Sequence, residues 1–199
     1  MLTQDAIAAA LTGRSPRNLP ARNGHKSAAV ALILQPTAEG GDALLYIERA
    51  CHPGDPWSGN LGFPGGRIDA GDRDARAAAE RETREEVAID LAPARFLGQL
   101  DDEYGVRVPV RVSAFVFGLT GPATVCCNSE AVRHFWVPLT RLCDVAHHGT
   151  RTVDWHGQPL QVPAIAIAAE APPLWGLTYR FTRQLLHWSC RGHKMNHFI

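Results

Sequence analysis

The sequence contains no long hydrophobic run, although 45% of its 199 residues are hydrophobic. No stretch approaches the roughly 18 consecutive apolar residues that a membrane-spanning helix needs. Residues 1–20 contain no basic segment ahead of their apolar run, which is not typical of a secretory signal. We therefore predict a protein with no membrane partner, folded around one sizeable hydrophobic core.

Net charge is the second absence, because 20 Lys and Arg residues are balanced by 20 Asp and Glu residues. A chain without an overall electrostatic field is not steered toward nucleic acid or an anionic membrane surface. We therefore expect no nucleic-acid partner. An anionic ligand would have to be held locally, by a metal ion or by a few arginines.

Cysteines are few, and their number is odd: there are five, including the adjacent pair Cys126 and Cys127. This pattern does not fit a disulfide framework, so we expect a reduced, cytoplasmic protein. Four residues near the C-terminus have spacings that imitate a zinc site, namely His187, Cys190, His193 and His197. Because no second cysteine pair accompanies them, we expect ordinary structural residues there.

The pattern along the chain predicts an α/β fold. Residues 1–26 are interpreted as a helix (3–12) with a Pro-containing connector, and residues 27–199 as the main domain. Runs 27–34 and 43–48 are β-like and are separated by turn residues, which indicates a hairpin. Further strands are predicted at 96–100, 106–119 and 131–139, a hairpin at 152–164 and an amphipathic helix at 174–188. We predict a mixed sheet with helices packed against it.

A long loop, residues 49–71, holds six glycines and three prolines. Loops of this length inside a compact domain are usually either functional or disordered. Trp57, Phe63 and the tight turn that contains Gly65 and Gly66 favour a functional loop.

A helix is predicted from Asp72, as N-cap, to Val87. At about 100° per residue, Glu85 and Glu86 lie within about 60° of Glu82, so three carboxylates share one helix face. Arg81 is placed to hydrogen-bond Glu85 four residues on. The opposite face pairs Arg76, Glu80 and Arg84, as a solvated helix surface does.

The acidic face has two interpretations. It is either a solubilising surface or a binding site for a divalent cation. Neighbouring like charges cost roughly 0.2–0.5 kcal/mol per pair on an isolated helix. A cation such as Mg²⁺ or Mn²⁺, which prefers hard oxygen ligands, would convert that cost into affinity.

The segment FPGGRIDAGDRDARAAAERETREEVAI, residues 63–89, closely resembles the Nudix box, with its GG turn, helix and Arg-Glu-x-x-Glu-Glu core at residues 81–86. The spacing from Gly66 to Arg81 is one residue longer than in the commonest box. It resembles the coenzyme A pyrophosphatase-like group, with Asp69 and Asp72 at that group's acidic positions. The likeness continues at residues 19–22, 97–102 and 174–181.

The resemblance implies a Nudix-type α/β/α sandwich and a Mg²⁺- or Mn²⁺-dependent pyrophosphohydrolase acting on a small nucleotide-type molecule. It implies that Glu82 and Glu86 bind metal, that Glu85 binds a second metal or orients water, and that Arg81 orients the glutamates. It also implies that Gly65 contributes a backbone carbonyl. These roles can permute, because coupled carboxylates around a metal do not titrate independently.

Other candidates lie outside the box. A further acid is expected from Asp101, Asp102, Glu103 or Glu130, with Glu130 preferred because it precedes a predicted core strand. Guanidinium groups suit phosphate oxygens, so the candidate phosphate ligands are Arg49, Arg67, Arg107 and Arg111. Trp57 and Tyr104 would suit an adenine ring, and packing in the core is their alternative.

Two positions depart from the family pattern. Ala88 replaces a glycine, which is tolerable if the backbone there stays helical. Asp55 stands near the place where the coenzyme A group carries an arginine, so the substrate stays open between coenzyme A or a derivative and ADP-ribose or a nucleotide sugar. A ligand-sensing domain without catalysis is a further alternative, and the three intact glutamates argue against it. A homodimer is left open as the assembly.

Overall fold

The computed structural model describes residues 3–189 of the chain. The helices are α1 (Gln4–Leu11), α2 (Ala75–Val87), α3 (Leu139–Cys143) and α4 (Gly176–Ser189). The strands are β1 (Lys26–Pro36), β2 (Asp42–Arg49), β3 (Leu61–Gly62), β4 (Gly65–Arg67), β5 (Arg95–Gln99), β6 (Glu103–Tyr104), β7 (Val110–Gly118), β8 (Ala131–Pro138), β9 (His148–Trp155) and β10 (Gln158–Ile165). A short 3-10 helix, Val145–His147, precedes β9.

Strand β1 is the centre of an eight-stranded mixed sheet. It pairs in parallel with β7, from Lys26 opposite Val110 to Leu34 opposite Gly118, and antiparallel with β2 and β4. The remaining strands extend the sheet, with β3 and β8 on β2 and with β5 and β6 on β7. Because β1 is covered on both faces, its apolar residues form a nearly continuous run.

Helices cover both faces of this sheet. Alternate residues of β1 divide between two cores: Leu32 and Leu34 pack with α1 and α4, and Ala31 and Ile33 pack with α2. Helix α2 approaches β1 closely because the residues it buries there include alanines. The predicted α/β/α sandwich with a mixed sheet is confirmed.

The predicted hairpin near residue 156 is also confirmed. Strands β9 and β10 form a separate antiparallel pair, and His156 and Gly157 turn the chain with φ values of 54° and 78°. An isolated bridge between Ile165 and Leu174 joins the hairpin to the segment that leads into α4.

One local prediction around α2 is wrong, and the condition set for Ala88 is not met. The helix begins at Ala75 with Asp74 as its N-cap, whose side chain accepts from the Ala77 amide at 2.8 Å, so Asp72 lies outside the helix. Ala88 is not helical but left-handed, with φ 57°. Glycine adopts this C-cap conformation freely, whereas a residue with a Cβ atom incurs a cost of about 1 kcal/mol.

The N-terminal helix packs against the main domain. Ile7 and Leu11 lie in the same core as α4, and Gln4 donates to the buried carboxylate of Asp42 through its amide and side chain. No helix within residues 3–189 is long and apolar enough to cross a membrane. Of the predicted false zinc set, Cys190, His193 and His197 lie outside the described residues.

Candidate active site

The two glycines of the tight turn bring strand β4 against α2. Gly65 has φ 151°, and a Cβ atom there would overlap the backbone of Ala29 on the paired strand β1. A Cβ atom on Gly66 would lie 2.5 Å from the carboxylate of Glu82. Both positions must therefore be glycine if the strand is to reach the acidic face of the helix.

Glu86 is the buried acid of the site, with 1% of its side chain exposed. Its Oε2 accepts a hydrogen bond from the Gly65 amide at 2.8 Å. Among the partners that residues 3–189 offer, its Oε1 has no hydrogen bond, and it lies 3.6 Å from Nη1 of Arg49. Burial raises the pKa of Glu86 to about 7, although Gly65 and Arg49 both act to lower it.

Glu82 lies one helical turn before Glu86. Both side chains face the tight turn that contains Gly65 and Gly66. Burial raises the pKa of Glu82, the hydrogen bond from Arg81 opposes the rise, and the charges of Glu85 and Glu130 add to it. The side chain of Glu85 is more than half exposed, so this acid lies at the rim of the site.

Arg81 fastens the acidic helix face to the preceding loop. It donates through Nη1 to Glu82 at 2.9 Å and to Glu85 at 3.2 Å, as the sequence predicted for Glu85. Through Nε and Nη2 it also donates to both carboxylate oxygens of Asp72, each at 3.0 Å. The Arg81 guanidinium holds the pKa of Asp72 below its usual range, so the loop acid stays charged.

Glu130 reaches the same site from a distant part of the chain. The amide of Asn128 donates to the carbonyl of Glu86 at 2.9 Å, and that of Ala50 donates to the carbonyl of Glu130 at 2.8 Å. The exposed carboxylate of Glu130 raises the pKa of both Glu82 and Glu86. Glu130 is therefore an electrostatic neighbour of the helix acids, and its role as a further ligand stays a prediction.

A family model described as the NUDIX domain matches residues 24–156, which is more than half of the chain. The chain belongs to the Nudix family. Arg81, Glu82, Glu85 and Glu86, which the sequence assigned to the Nudix box, lie within the matched range and meet at the turn that contains Gly65 and Gly66.

Among relatives, the human mitochondrial coenzyme A diphosphatase NUDT8 is 33% identical over 128 residues, covering 61% of this chain and 53% of that protein. The Nudix hydrolase NudL of Yersinia enterocolitica is 26% identical over 173 residues, covering 85% and 84%. The chain thus spans about half of the length of the human relative, and it spans 32% of a Schizosaccharomyces pombe relative.

Among solved structures, a MutT/nudix family protein from Enterococcus faecalis has a TM-score of 0.51 at 17% identity, covering 77% of this chain and 57% of that one. A Nudix hydrolase from Mycobacterium smegmatis, RenU, has a TM-score of 0.50 at 20% identity, covering 60% and 74%. These likenesses concern the fold.

The other candidate acids stabilise the Nudix domain at a different place. Asp101 pairs with Arg14, and the buried Asp102 accepts from the Leu19 amide at 3.0 Å. Glu103 pairs with Arg180 of α4. These three acids attach the N-terminal connector and α4 to the sheet, so their contacts are structural.

Of the candidate arginines, only Arg49 contacts the acids of the Nudix box among residues 3–189. Arg67 is exposed and contributes its carbonyl to Arg81 at 3.1 Å. Because Gly66 faces Glu82, strand alternation directs the Arg67 side chain to the other face of the sheet. Arg107 lies in the exposed loop before β7, and Arg111 donates to the Leu19 carbonyl and to Ser27.

Arg49 is also bound by the acid that departs from the family pattern. Asp55 accepts from Nε and Nη2 of Arg49 at 3.3 and 3.2 Å. The sequence predicted Asp55 to repel an anionic substrate group and Arg49 to attract one. In the structure the two side chains neutralise each other beside Glu86.

The candidate aromatic residues do not form a free stacking surface. Trp57 packs on the core that contains α1 and α4. The ring of Tyr104 is covered by Arg22, 3.8 Å from its centroid, and by the edge of His25. The packing alternative holds for Trp57. Trp155 of the β9–β10 hairpin and Trp175 before α4 were not among the residues singled out from the sequence. Their aromatic character was the only signal that could have pointed to them.

The donor set fits a divalent cation, although no three Asp, Glu, His or Cys side chains within residues 3–189 already converge around a cation position. Glu86 presents a buried carboxylate oxygen without a hydrogen bond, and Glu82 and Glu130 add negative charge around it. A cation would relieve both the missing partner and the repulsion. Gly65 meets Glu86 through its amide, and the predicted carbonyl ligand stays a prediction.

The link between Asp72 and Arg81 generates a first prediction. Asp72→Asn keeps the side-chain shape but removes the charge that orients the guanidinium. We expect kcat to fall about tenfold with KM nearly unchanged, as for other residues that position ligands. Steady-state kinetics and denaturant unfolding check this. Asp90→Asn is the control, since Asp90 binds Arg84 at an exposed position. Equal kinetics in both variants would exclude a positioning role for Asp72.

The burial of Glu86 generates a second prediction. The pKa of Glu86 is 4.5 in the unfolded state and about 7 in the folded state, so the folded state binds the proton more tightly. The metal-free protein should lose up to ~3 kcal/mol of unfolding free energy as the pH rises from 4.5 to 7. Glu86→Gln, which carries no charge to bury, should escape that loss.

Urea unfolding at pH 5 and pH 8 without metal measures this difference. The variant should gain stability relative to the wild type at pH 8, and added Mn²⁺ should stabilise only the wild type. A difference between the two proteins that does not change with pH would show that Glu86 is not held with a raised pKa.

Proposed function

We propose that the chain is a Mg²⁺- or Mn²⁺-dependent pyrophosphohydrolase that cleaves coenzyme A or a derivative. The observation that carries the proposal is the buried carboxylate of Glu86, held by the Gly65 amide with its second oxygen free of hydrogen bonds, beside Glu82. Burial of a charge without full compensation destabilises a fold, and such arrangements cluster at functional sites.

Glu82 and Glu86 would hold the cation, with Glu130 or Glu85 as further acids. When bound, the cation neutralises charge on the diphosphate and lowers the pKa of a water molecule. Water would attack one phosphorus while a carboxylate of the cluster accepts its proton, and the bridging P–O bond would break so that the bridging oxygen leaves with the second phosphoryl group. Arg81 does not touch the substrate in this scheme. It holds the glutamates in position through its hydrogen bonds to them.

Coenzyme A is favoured as the substrate class by two observations. The human relative at 33% identity is named a coenzyme A diphosphatase. In addition, Asp72 occupies an acidic position at which the box resembles that of the coenzyme A group, and it binds Arg81.

ADP-ribose or a nucleotide sugar is the second candidate, and the Arg49–Asp55 pair favours it. A 3′-phosphate on the substrate needs a cation, but Asp55 already neutralises Arg49, the one candidate phosphate-binding arginine within residues 3–189 that contacts a box acid. A diphosphate substrate without that 3′-phosphate would need only the metal ion and a contact with an Arg49 that is still paired with Asp55.

The assignment of the acids predicts the effect of two substitutions. Glu82→Gln and Glu86→Gln should each lower kcat by at least about a hundredfold while the protein stays folded, because each removes charge that holds the cation. Glu80→Gln is the matched control, since Glu80 bonds Arg76 on the other side of the helix. Turnover near the wild-type level in both site variants at saturating Mn²⁺ would refute the assignment.

The two substrate classes predict different kinetics. If coenzyme A is the substrate, kcat/KM for it should exceed that for its 3′-dephospho form by about tenfold, because the extra phosphate adds a charged contact. Asp55→Asn should widen this preference by freeing Arg49. Equal turnover of both forms, together with cleavage of ADP-ribose, would establish the second candidate instead.

A further inference from the structure

An aromatic cluster lies at the tip of the β9–β10 hairpin, and we name it the aromatic shelf: Trp155, His156 and Trp175. The indole rings of Trp155 and Trp175 meet edge to face, with centroids 5.7 Å apart and an interplanar angle of 87°. The imidazole of His156 meets Trp155 in the same way at 4.8 Å. The shelf therefore combines two large π surfaces with one group that both donates and accepts hydrogen bonds.

The shelf lies outside the two hydrophobic cores. Within residues 3–189, neither Trp155 nor Trp175 belongs to the two hydrophobic cores or to the side chains packed against them. Both indoles are partly buried and keep exposed surface, and His156 is exposed. Two tryptophans outside any core, grouped at one place on the surface, need a different explanation.

The turn that presents the shelf is conformationally costly. His156 is left-handed with φ 54°, and Gly157 follows with φ 78°, so both central residues of this two-residue hairpin loop have positive φ. Asparagine, aspartate or glycine is usual at the first of these positions, because other side chains are strained there. Backbone strain of this kind is common at functional sites, which makes His156 a candidate functional residue.

A short chain of contacts leads from the shelf to the box acids. The indole N–H of Trp175 donates to Oδ1 of Asn60 at 2.8 Å, and the carbonyl of Asn60 accepts from the amide of Arg49 at 3.0 Å. Arg49 in turn lies 3.6 Å from Glu86. Two residues therefore separate the indole from the acid that would hold the metal at the diphosphate.

We propose that the aromatic shelf is the subsite for the purine base of the substrate, an inference that rests on the proposed function. When the phosphates of a nucleoside diphosphate lie at Glu86 and Arg49, its base lies a few residues away from them. The shelf is separated from Glu86 by a similar number of residues. The base stacks on the exposed indole surface, and the imidazole of His156 reads its polar edge. Stacking on tryptophan is a strong and general way to hold a base.

The test compares ligands with and without a base. Calorimetric titration with Mg²⁺ uses ADP and methylene diphosphonate, a diphosphate mimic that carries no base. Trp155→Leu should weaken ADP about tenfold and leave methylene diphosphonate unchanged, since one base–aromatic stack is lost. Trp188→Leu is the matched control, because Trp188 contacts Arg14 in another part of the fold.

A second variant separates binding from folding. His156→Asn places a residue that tolerates the left-handed conformation in the same turn, so the melting temperature should stay equal or rise. The KM for the substrate should nevertheless rise about threefold, with kcat unchanged. A residue with only a structural role would not give higher stability together with weaker binding, so an unchanged KM would count against the shelf.

Kinetics with two substrates decides which part of the molecule the shelf holds. Coenzyme A and ADP-ribose share the adenine ring, so Trp155→Leu should lower kcat/KM for both by a similar factor. A loss confined to coenzyme A would overturn the proposal and assign the shelf to the pantetheine arm.

The same measurements distinguish the shelf from the proposed function. If the wild type cleaves these substrates and Trp155→Leu binds ADP as the wild type does, the shelf is excluded and the hydrolase stands. If the wild type neither cleaves them nor binds methylene diphosphonate with Mg²⁺, the proposed function fails and the shelf proposal falls with it.

Discussion

The hydrogen bond from the Gly65 amide to the buried carboxylate of Glu86 is the constraint on which the site depends. A carboxylate that leaves water loses several kcal/mol of hydration unless the protein replaces it. One backbone amide and a guanidinium 3.6 Å away replace only part of it, and the raised pKa of Glu86 records the remainder. The Gly65 amide has to lie within reach of this acid. The GG turn and the alanines that let α2 approach the sheet closely make this possible.

A second constraint lies in the loop between the turn and the helix. Asp72 would be an adequate N-cap, yet it leaves that position to Asp74 and binds Arg81 instead. The N-cap therefore lies two residues later than the sequence suggests. Asp74 supplies the cap, so the carboxylate of Asp72 can hold the Arg81 guanidinium beside two glutamates.

Whether a feature of the fold or of the site could be predicted from the sequence depended on how far apart in the chain the interacting residues lie. Glu82, Glu85, Glu86 and Arg81 follow from helical periodicity, which is local, and the mixed sheet follows from alternation and turn residues. The sequence preferred Glu130 over Asp101, Asp102 and Glu103 only for its place before a core strand. The contacts of the other three acids depend on which distant segments meet, and the pattern did not predict them. The pairing of Arg49 with Asp55 and the left-handed Ala88 likewise depend on backbone geometry that no residue pattern encodes.

The parallel pairing of β1 with β7 has a consequence for biosynthesis. During translation, one edge of β1 finds its partner only after the chain as far as Gly118 has left the ribosome, and α1 must wait longer still for α4. Until then, that edge of this largely apolar strand presents unpaired amides and carbonyls to its surroundings. Nascent chains of this protein should therefore depend on chaperones more than a domain of equal size with local strand pairing does.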